Sequence, residues 1–233
     1  QLYNHYVKRG VPTYYQRIYA TEMELTRILC DVEESGMLID RSYLEQLKAK
    51  LLVGMQDLEL KIWDVVGAQH KFDLDSDAEL RFYLESKLKA KLWKKTKKGG
   101  KMSVDAEGLR SLAQDHPVLE LIRQRREAAK IATTYTDSIL KHCDEEGLCH
   151  CNYQQVGTDT GRLSCREPNL QNQSNDSNDR AVRLTGSAIG EGGHDPWSVK
   201  RAYLIPEGYA RIYLDYSQIE LRVLAAYTQD PIM

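Results

Sequence analysis

With 233 residues, 42% hydrophobic and 28% charged, the chain can bury a real core as one or two domains, and its composition does not point to disorder. A net charge of -2 speaks against a uniformly basic nucleic-acid binder; no apolar run is long enough to span a bilayer, and the opening QLYNHYVKRG lacks the apolar core of a signal peptide. An intracellular protein without a membrane partner is expected.

From Met23 to about Val66 the apolar spacing predicts helix, broken near Gly36 and restarted after Asp40, whose short carboxylate suits an N-cap. Leu44, Leu47, Leu51, Leu58 and Ile62 form one stripe that ends before Gly67. Ser76 and Glu79 make a capping-box signature, which starts a short helix through about Leu88. Next Lys87, Lys89, Lys91, Lys94, Lys95, Lys97, Lys98 and Lys101 crowd together with Gly99 and Gly100 in what reads as a mobile loop. Local charge, not net charge, is what a phosphate backbone feels, although a merely solvated charge run would look the same. Pro117 opens a long helical pattern through Leu140. It turns Leu121, Ile122, Ala129 and Ile131 toward a core and carries a basic set at Arg123, Arg125, Arg126 and Lys130.

The five cysteines do not suggest a disulfide framework. Cys143, Cys149 and Cys151, with His142 and His150, match no usual zinc spacing, and alternate strand residues face opposite ways, so no zinc is expected there. After Gly147 the period changes to short β-like runs: LCHCNYQQV, then RAYLIP and ARIYLDY, the last two separated by Glu207 and Gly208. Between them Gln173 to Trp197 is rich in Ser, Asn, Asp and Gly and reads as an irregular connection. The last stretch, RIYLDYSQIELRVLAAYTQD, places Asp215 at the exit of an apolar strand bearing Tyr209, Ile212, Tyr213 and Leu214. A helix follows at once, with Ile219, Val223, Leu224 and Tyr227 at helical spacing. Chemistry alone leaves Asp215 either a metal ligand or a helix cap.

Two motifs decide between these. TDTGRLSCREPNLQN, Thr158 to Asn172, resembles the strand and loop that precede motif A in the family A DNA polymerases, and DYSQIELRVLA resembles motif A itself. Upstream, ELTRILCDVEESGMLIDRSYLEQLK resembles the entry to that family's helical thumb, and RREAAKIATTYTDSIL its long thumb helix. One departure stands out: relatives continue NLQN with Ile-Pro, whereas Gln173 and Ser174 follow here and the stretch is several residues longer.

The resemblance implies an α+β fold, a helical thumb subdomain at 23–146 followed by the first strands of an antiparallel palm sheet at 147–233. Residues 1–22 would be the tail of a preceding exonuclease-like domain. It implies a DNA-directed DNA polymerase of replication or repair, acting on primer-template DNA and dNTP by two-metal phosphoryl transfer. Asp215 would be the ligand shared by two Mg²⁺ ions, with the Tyr216 carbonyl on the nucleotide-side ion. Glu220 would pack on the sugar of the incoming nucleotide and exclude a 2′-hydroxyl, Ile219 would line the same pocket, and Ser217 and Gln218 would offer backbone groups near the triphosphate. An ordinary helix-surface glutamate remains the alternative for Glu220, and Arg222 is equally well a salt-bridge residue. Arg162, Asn169, Gln171 and Asn172 would test pairing geometry in the minor groove. Arg126 and Lys130 would contact the DNA backbone, while Lys94, Lys95, Lys97 and Lys98 would meet phosphates at the thumb tip.

In that family the nucleotide-binding helix and a His-Asp-Glu turn lie beyond motif A. The absent initiator Met and the end at Met233 therefore suggest a fragment, expected not to polymerise DNA alone. Two other readings are a non-catalytic DNA-binding module or one half of a split polymerase, and a single-subunit RNA polymerase. Glu220 and the TGRLS-PNLQN pairing count against the latter.

Overall fold

A computed structural model describes residues 13–90, 103–171 and 198–230. Helix α1 spans Thr13–Ser35 and runs without a break through the boundary expected at 22/23. It stops at Gly36, whose φ of +62° an L side chain rarely adopts; a Cβ there would also lie 2.8 Å from the His150 ring. Strand β1, Met37–Leu38, leads to helix α2, Arg41–Val66. Asp40 caps α2 as expected, its carboxylate accepting from the Tyr43 N–H at 2.9 Å.

The stripe of α2 is buried as its spacing demands. Leu44, Leu47, Leu51 and Ile62 have no exposed surface and Leu58 has little. The helix is long enough to serve two cores. Leu44 to Leu58 meet Ala128, Ile131, Tyr135 and Ile139, whereas Ile62 and Val66 join Leu74, Leu80, Leu84, Leu109, Leu119 and Ile122. A 3₁₀ turn at Ala68–His70 follows, and then helix α3, Asp77–Ser86, capped by the Ser76 hydroxyl accepting from the Glu79 N–H. The reciprocal half of the capping box is not made: the Glu79 carboxylate reaches past Ser76 and accepts from the Asp73 N–H at 2.7 Å.

Helix α4, Ala106–Leu112, was not among the expected elements; Asp105 caps it through the Gly108 N–H at 2.8 Å. Helix α5, Val118–Lys130, starts after Pro117, continues as a π-helical stretch at Ile131–Asp137 and closes as α6, Ser138–Lys141. Ala128, not Ala129, is the fully buried alanine, because it lies in phase with Ile131, Ala132, Tyr135 and Ile139. The buried Thr136 hydroxyl follows the widened turn and donates to the Ile131 and Ala132 carbonyls.

The strands are short. β2, Leu148–Cys149, pairs antiparallel with β1, and β3, Asn152–Gln154, pairs antiparallel with β4, Ser164–Arg166. RAYLIP is not a strand: a 3₁₀ turn, Val199–Ala202, leads to a single bridge between Tyr203 and Ile39. Nor is ARIYLDY the buried strand its pattern predicts. It carries no ladder among the described residues, and Ile212, Tyr213 and Leu214 are exposed. A strand needs a neighbour to satisfy its backbone and cover its side chains, and no described segment pairs with this one. The α+β class holds: helices packed in two cores, with small antiparallel sheets. No described helix is long and apolar enough to cross a membrane.

Candidate nucleic-acid interface and metal centre

Three anchors set the geometry of the β3–β4 hairpin. Tyr153 N–H donates to the Glu33 carboxylate, and the Gln155 amide donates to the Glu22 carboxylate at 2.7 Å and to its backbone carbonyl at 2.9 Å. Thr26 completes the clamp by donating its hydroxyl to the Gln155 side-chain oxygen at 2.9 Å. Helix α1 thus holds the end of β3 from residues more than a hundred positions away, and no local sequence signal marks Glu22, Thr26 or Glu33 for this role. Where the chain leaves β3, a Cβ on Gly157 would fall 2.1 Å from the Ser164 hydroxyl, so a larger residue there would require that hydroxyl to turn away.

The hairpin turn is closed by the Thr158 hydroxyl donating to the Arg162 carbonyl at 2.7 Å. It sends the Arg162 guanidinium outward, where it forms an ion pair with Glu220. Both side chains are largely exposed, at 71% and 65%. Beyond β4 a cis peptide joins Glu167 to Pro168, the Cys165 thiol donates to the Pro168 carbonyl, and Asn169 and Gln171 stand exposed on the following turn.

Helix α7, Ile219–Thr228, follows Asp215 after a turn rather than at once. Gln218 takes the N-cap position in the left-handed region, with φ of +54°, and no side chain caps the helix. Asp215 is therefore not the cap. Its exposed carboxylate makes no hydrogen bond or ion pair with the described residues. Tyr216, Ser217, Gln218, Ile219 and Glu220 are exposed beside it. An exposed carboxylate next to backbone carbonyls has the hard-oxygen chemistry that Mg²⁺ takes, yet among the described residues no three His, Cys, Asp or Glu side chains gather as a ligand set.

The basic residues of α5 divide into two kinds. Arg123 is buried between Glu120 and Glu127, and that contact with Arg123 holds the Glu120 carboxyl well below its ordinary range, at about 2. Arg125 bridges Glu59 and Asp75. Arg126 is equally engaged: its Nε donates to the Leu74 carbonyl at 2.6 Å and its Nη1 to Asp77 at 2.8 Å, so it ties α5 to the start of α3. Lys130 alone of this set is exposed, its ammonium 5.8 Å from the Tyr135 ring centroid. The structure brings Arg162 and Glu220 together and leaves Arg126 in a separate structural network. Asn172, Lys94, Lys95, Lys97, Lys98 and the stretch 173–197 lie outside the described residues, as do residues 1–12.

A family model described as DNA polymerase family A matches residues 41–233. A thermostable DNA polymerase I of Thermus thermophilus is 36% identical over 214 residues, 91% of this chain and 23% of that protein. DNA polymerase I of Treponema pallidum is 34% identical over 209 residues, 90% of this chain and 19% of that protein. The chain thus spans about a fifth of the length of these curated relatives. Among solved structures, the POL domain of Pol1 from M. smegmatis, in complex with DNA primer-template and dNTP, superposes with a TM-score of 0.72 at 29% identity, covering 90% of this chain and 34% of that one.

Proposed function

The chain belongs to DNA polymerase family A, and from that membership we propose that it is the thumb, residues 23–146, and the N-terminal palm, residues 147–233, of a DNA-directed DNA polymerase. The observation that carries this reading is the family match over residues 41–233, which takes in both the Arg162 motif and the stretch around Asp215 and Glu220.

In this reading the Arg162 guanidinium, with Asn169, Gln171 and Asn172, donates to minor-groove acceptors at the primer end and so tests pairing geometry without reading sequence. Glu220 and Ile219 border the sugar of the incoming dNTP, where a carboxylate beside C2′ excludes a ribose hydroxyl. Ser217 and Gln218 offer backbone groups to its triphosphate. Lys130 and the run Lys94, Lys95, Lys97 and Lys98 neutralise phosphates along the duplex. Arg126 contributes by fixing α5 against α3, since its donors face Leu74 and Asp77.

Asp215 and the Tyr216 carbonyl would hold Mg²⁺, which when bound supplies charge neutralisation for phosphoryl transfer. One carboxylate cannot organise a two-metal site, and among the described residues no three His, Cys, Asp or Glu side chains gather as a ligand set. In this reading the 233 residues by themselves grip DNA without extending a primer. Primer extension by the longer polymerase, with and without Asp215→Ala, tests the assignment. Turnover that survives the substitution removes Asp215 from the reaction.

A further inference from the structure

The cysteines contribute nothing to this function, yet two of them are placed for chemistry with each other. Asp144 N–H donates to the Leu148 carbonyl at 2.9 Å, closing a tight hairpin between α6 and β2. One step outward, Cys143 and Cys149 face each other as an antiparallel bridge pair. They stand one position beyond that bond, at the non-hydrogen-bonded place of an antiparallel bridge, where opposed Cα atoms approach to about 4.5 Å. A disulfide accepts Cα separations of about 4.4–6.8 Å. The side chains also converge: both thiols donate to the Ile139 carbonyl, at 3.2 Å from Cys143 and 3.9 Å from Cys149. The opposed backbones and the shared acceptor are independent signs that the two sulfurs lie on the same side of the hairpin.

We propose that Cys143 and Cys149 form an oxidisable dithiol, a modification site that a small organic disulfide converts to a cross-strand disulfide. Cys143, half-buried, is the thiol within reach of the oxidant, while Cys149 is buried behind it. The Cys143 thiolate attacks one sulfur of R–S–S–R and displaces R–S⁻. The Cys149 thiolate then attacks the Cys143 sulfur of the mixed disulfide and displaces the second R–S⁻. Two protein thiols are oxidised, one external disulfide is reduced, and the two protons leave on the two released small thiols. Burial raises the Cys143 thiol and pushes Cys149 up to about 12, so the link forms slowly near neutrality and faster with rising pH, by about tenfold per unit. The product is a covalent clasp at the joint where helix gives way to strand, since Cys149 also pairs with Met37 of β1.

The test uses the whole chain with the exposed Cys30 replaced by serine, treated with bis(2-hydroxyethyl) disulfide at mildly alkaline pH. The expected product is two hydrogens lighter. After protease cleavage at Glu145 and Glu146, the peptides carrying Cys143 and Cys149 remain joined until reduced. Cys143→Ser abolishes the link and Cys151→Ser leaves it. The digest of the otherwise unsubstituted chain decides by itself should a serine variant fail to fold. Recovery of Cys143 and Cys149 as free thiols or as separate mixed adducts overturns the proposal, as does a Cys151–Cys165 link in their place.

Discussion

Arg162, on the turn between β3 and β4, is ion-paired with Glu220 in the first turn of α7, so a cation proposed to touch the primer end is held by a carboxylate proposed to touch the nucleotide. The pair is exposed and such pairs contribute about 0–1 kcal/mol. Releasing Arg162 with Glu220→Gln is therefore expected to tighten primer-template binding by up to about fivefold at low salt, with a smaller gain at high salt. Arg162→Gln is expected to weaken it. Fluorescence anisotropy on the 233-residue chain reads both, and unchanged binding by the glutamine variant would mean that the pair does not compete with DNA.

In the longer polymerase, Asp215→Ala is expected to abolish nucleotide incorporation while primer-template affinity stays within about twofold, because the exposed carboxylate supports no part of the fold. Single-turnover incorporation measured beside equilibrium binding separates the two. A parallel loss of affinity would recast Asp215 as a positioning residue.

Arg126 and Lys130 should part company. Arg126→Gln cuts the tie to Leu74 and Asp77 and is expected to cost about 1–3 kcal/mol of stability. Lys130→Gln, on an exposed side chain, is expected to leave stability within about 0.5 kcal/mol and to lower the salt slope of DNA binding by about one. Chemical denaturation and a salt titration are the two measurements.

His150 makes stability depend on pH. Its ring nitrogens contact the Glu33 carbonyl at 2.7 Å and the Asp144 carboxylate at 3.2 Å, and these contacts, the carbonyl first, raise its pKa above the ordinary 6.5. The charged form is favoured in the folded state, so its contribution is fully present below 6.5 and is lost as pH rises through the raised folded value. The thermal midpoint of the wild type is expected to fall relative to His150→Gln across that rise. Parallel pH profiles for the two proteins would show that the ring's charge does not matter to folding.

The two faces of α2 give a direct contrast. Ile62→Ala empties a site with no exposed surface and is expected to cost about 2–5 kcal/mol, whereas Leu60→Ala, at 72% exposure, should change stability by no more than about 0.5 kcal/mol. Equal losses in urea denaturation would mean that the helix packs through another face.

The helical stripe of α2, the Asp40 and Ser76 caps and the start of α5 at Pro117 were all legible, because each depends on spacing or chemistry within a few residues. Helix α4 escaped notice. At seven residues its apolar period hardly develops, and only Asp105 ahead of Leu109 and Leu112 could have marked it. Residues 210–216 show the opposite failure. A strand is a relation between segments, and an apolar, β-branched and aromatic run describes only one side of it. The motif residues Arg162 and Glu220 could be picked out from their flanking letters, but their mutual contact spans two loops and could not. The clamp of Gln155 by Glu22 and Thr26 was hidden for the same reason.

The widened π turn at Ile131–Asp137 amounts to one extra residue threaded into a continuous helix. Each residue of an α-helix turns about 100°, and the widened turn absorbs the rotation that its extra residue would otherwise add. Deleting one residue from this stretch would let the backbone rewind to a plain α-helix, with Ile139 still in the core it shares with Leu44 and Leu47 and the Cys143–Leu148 hairpin still aimed at β1. Adding one would overfill the turn and swing everything after it by that angle. Length at this point is thus a constraint in one direction: the loss of one residue should be tolerated, whereas the gain of one should not.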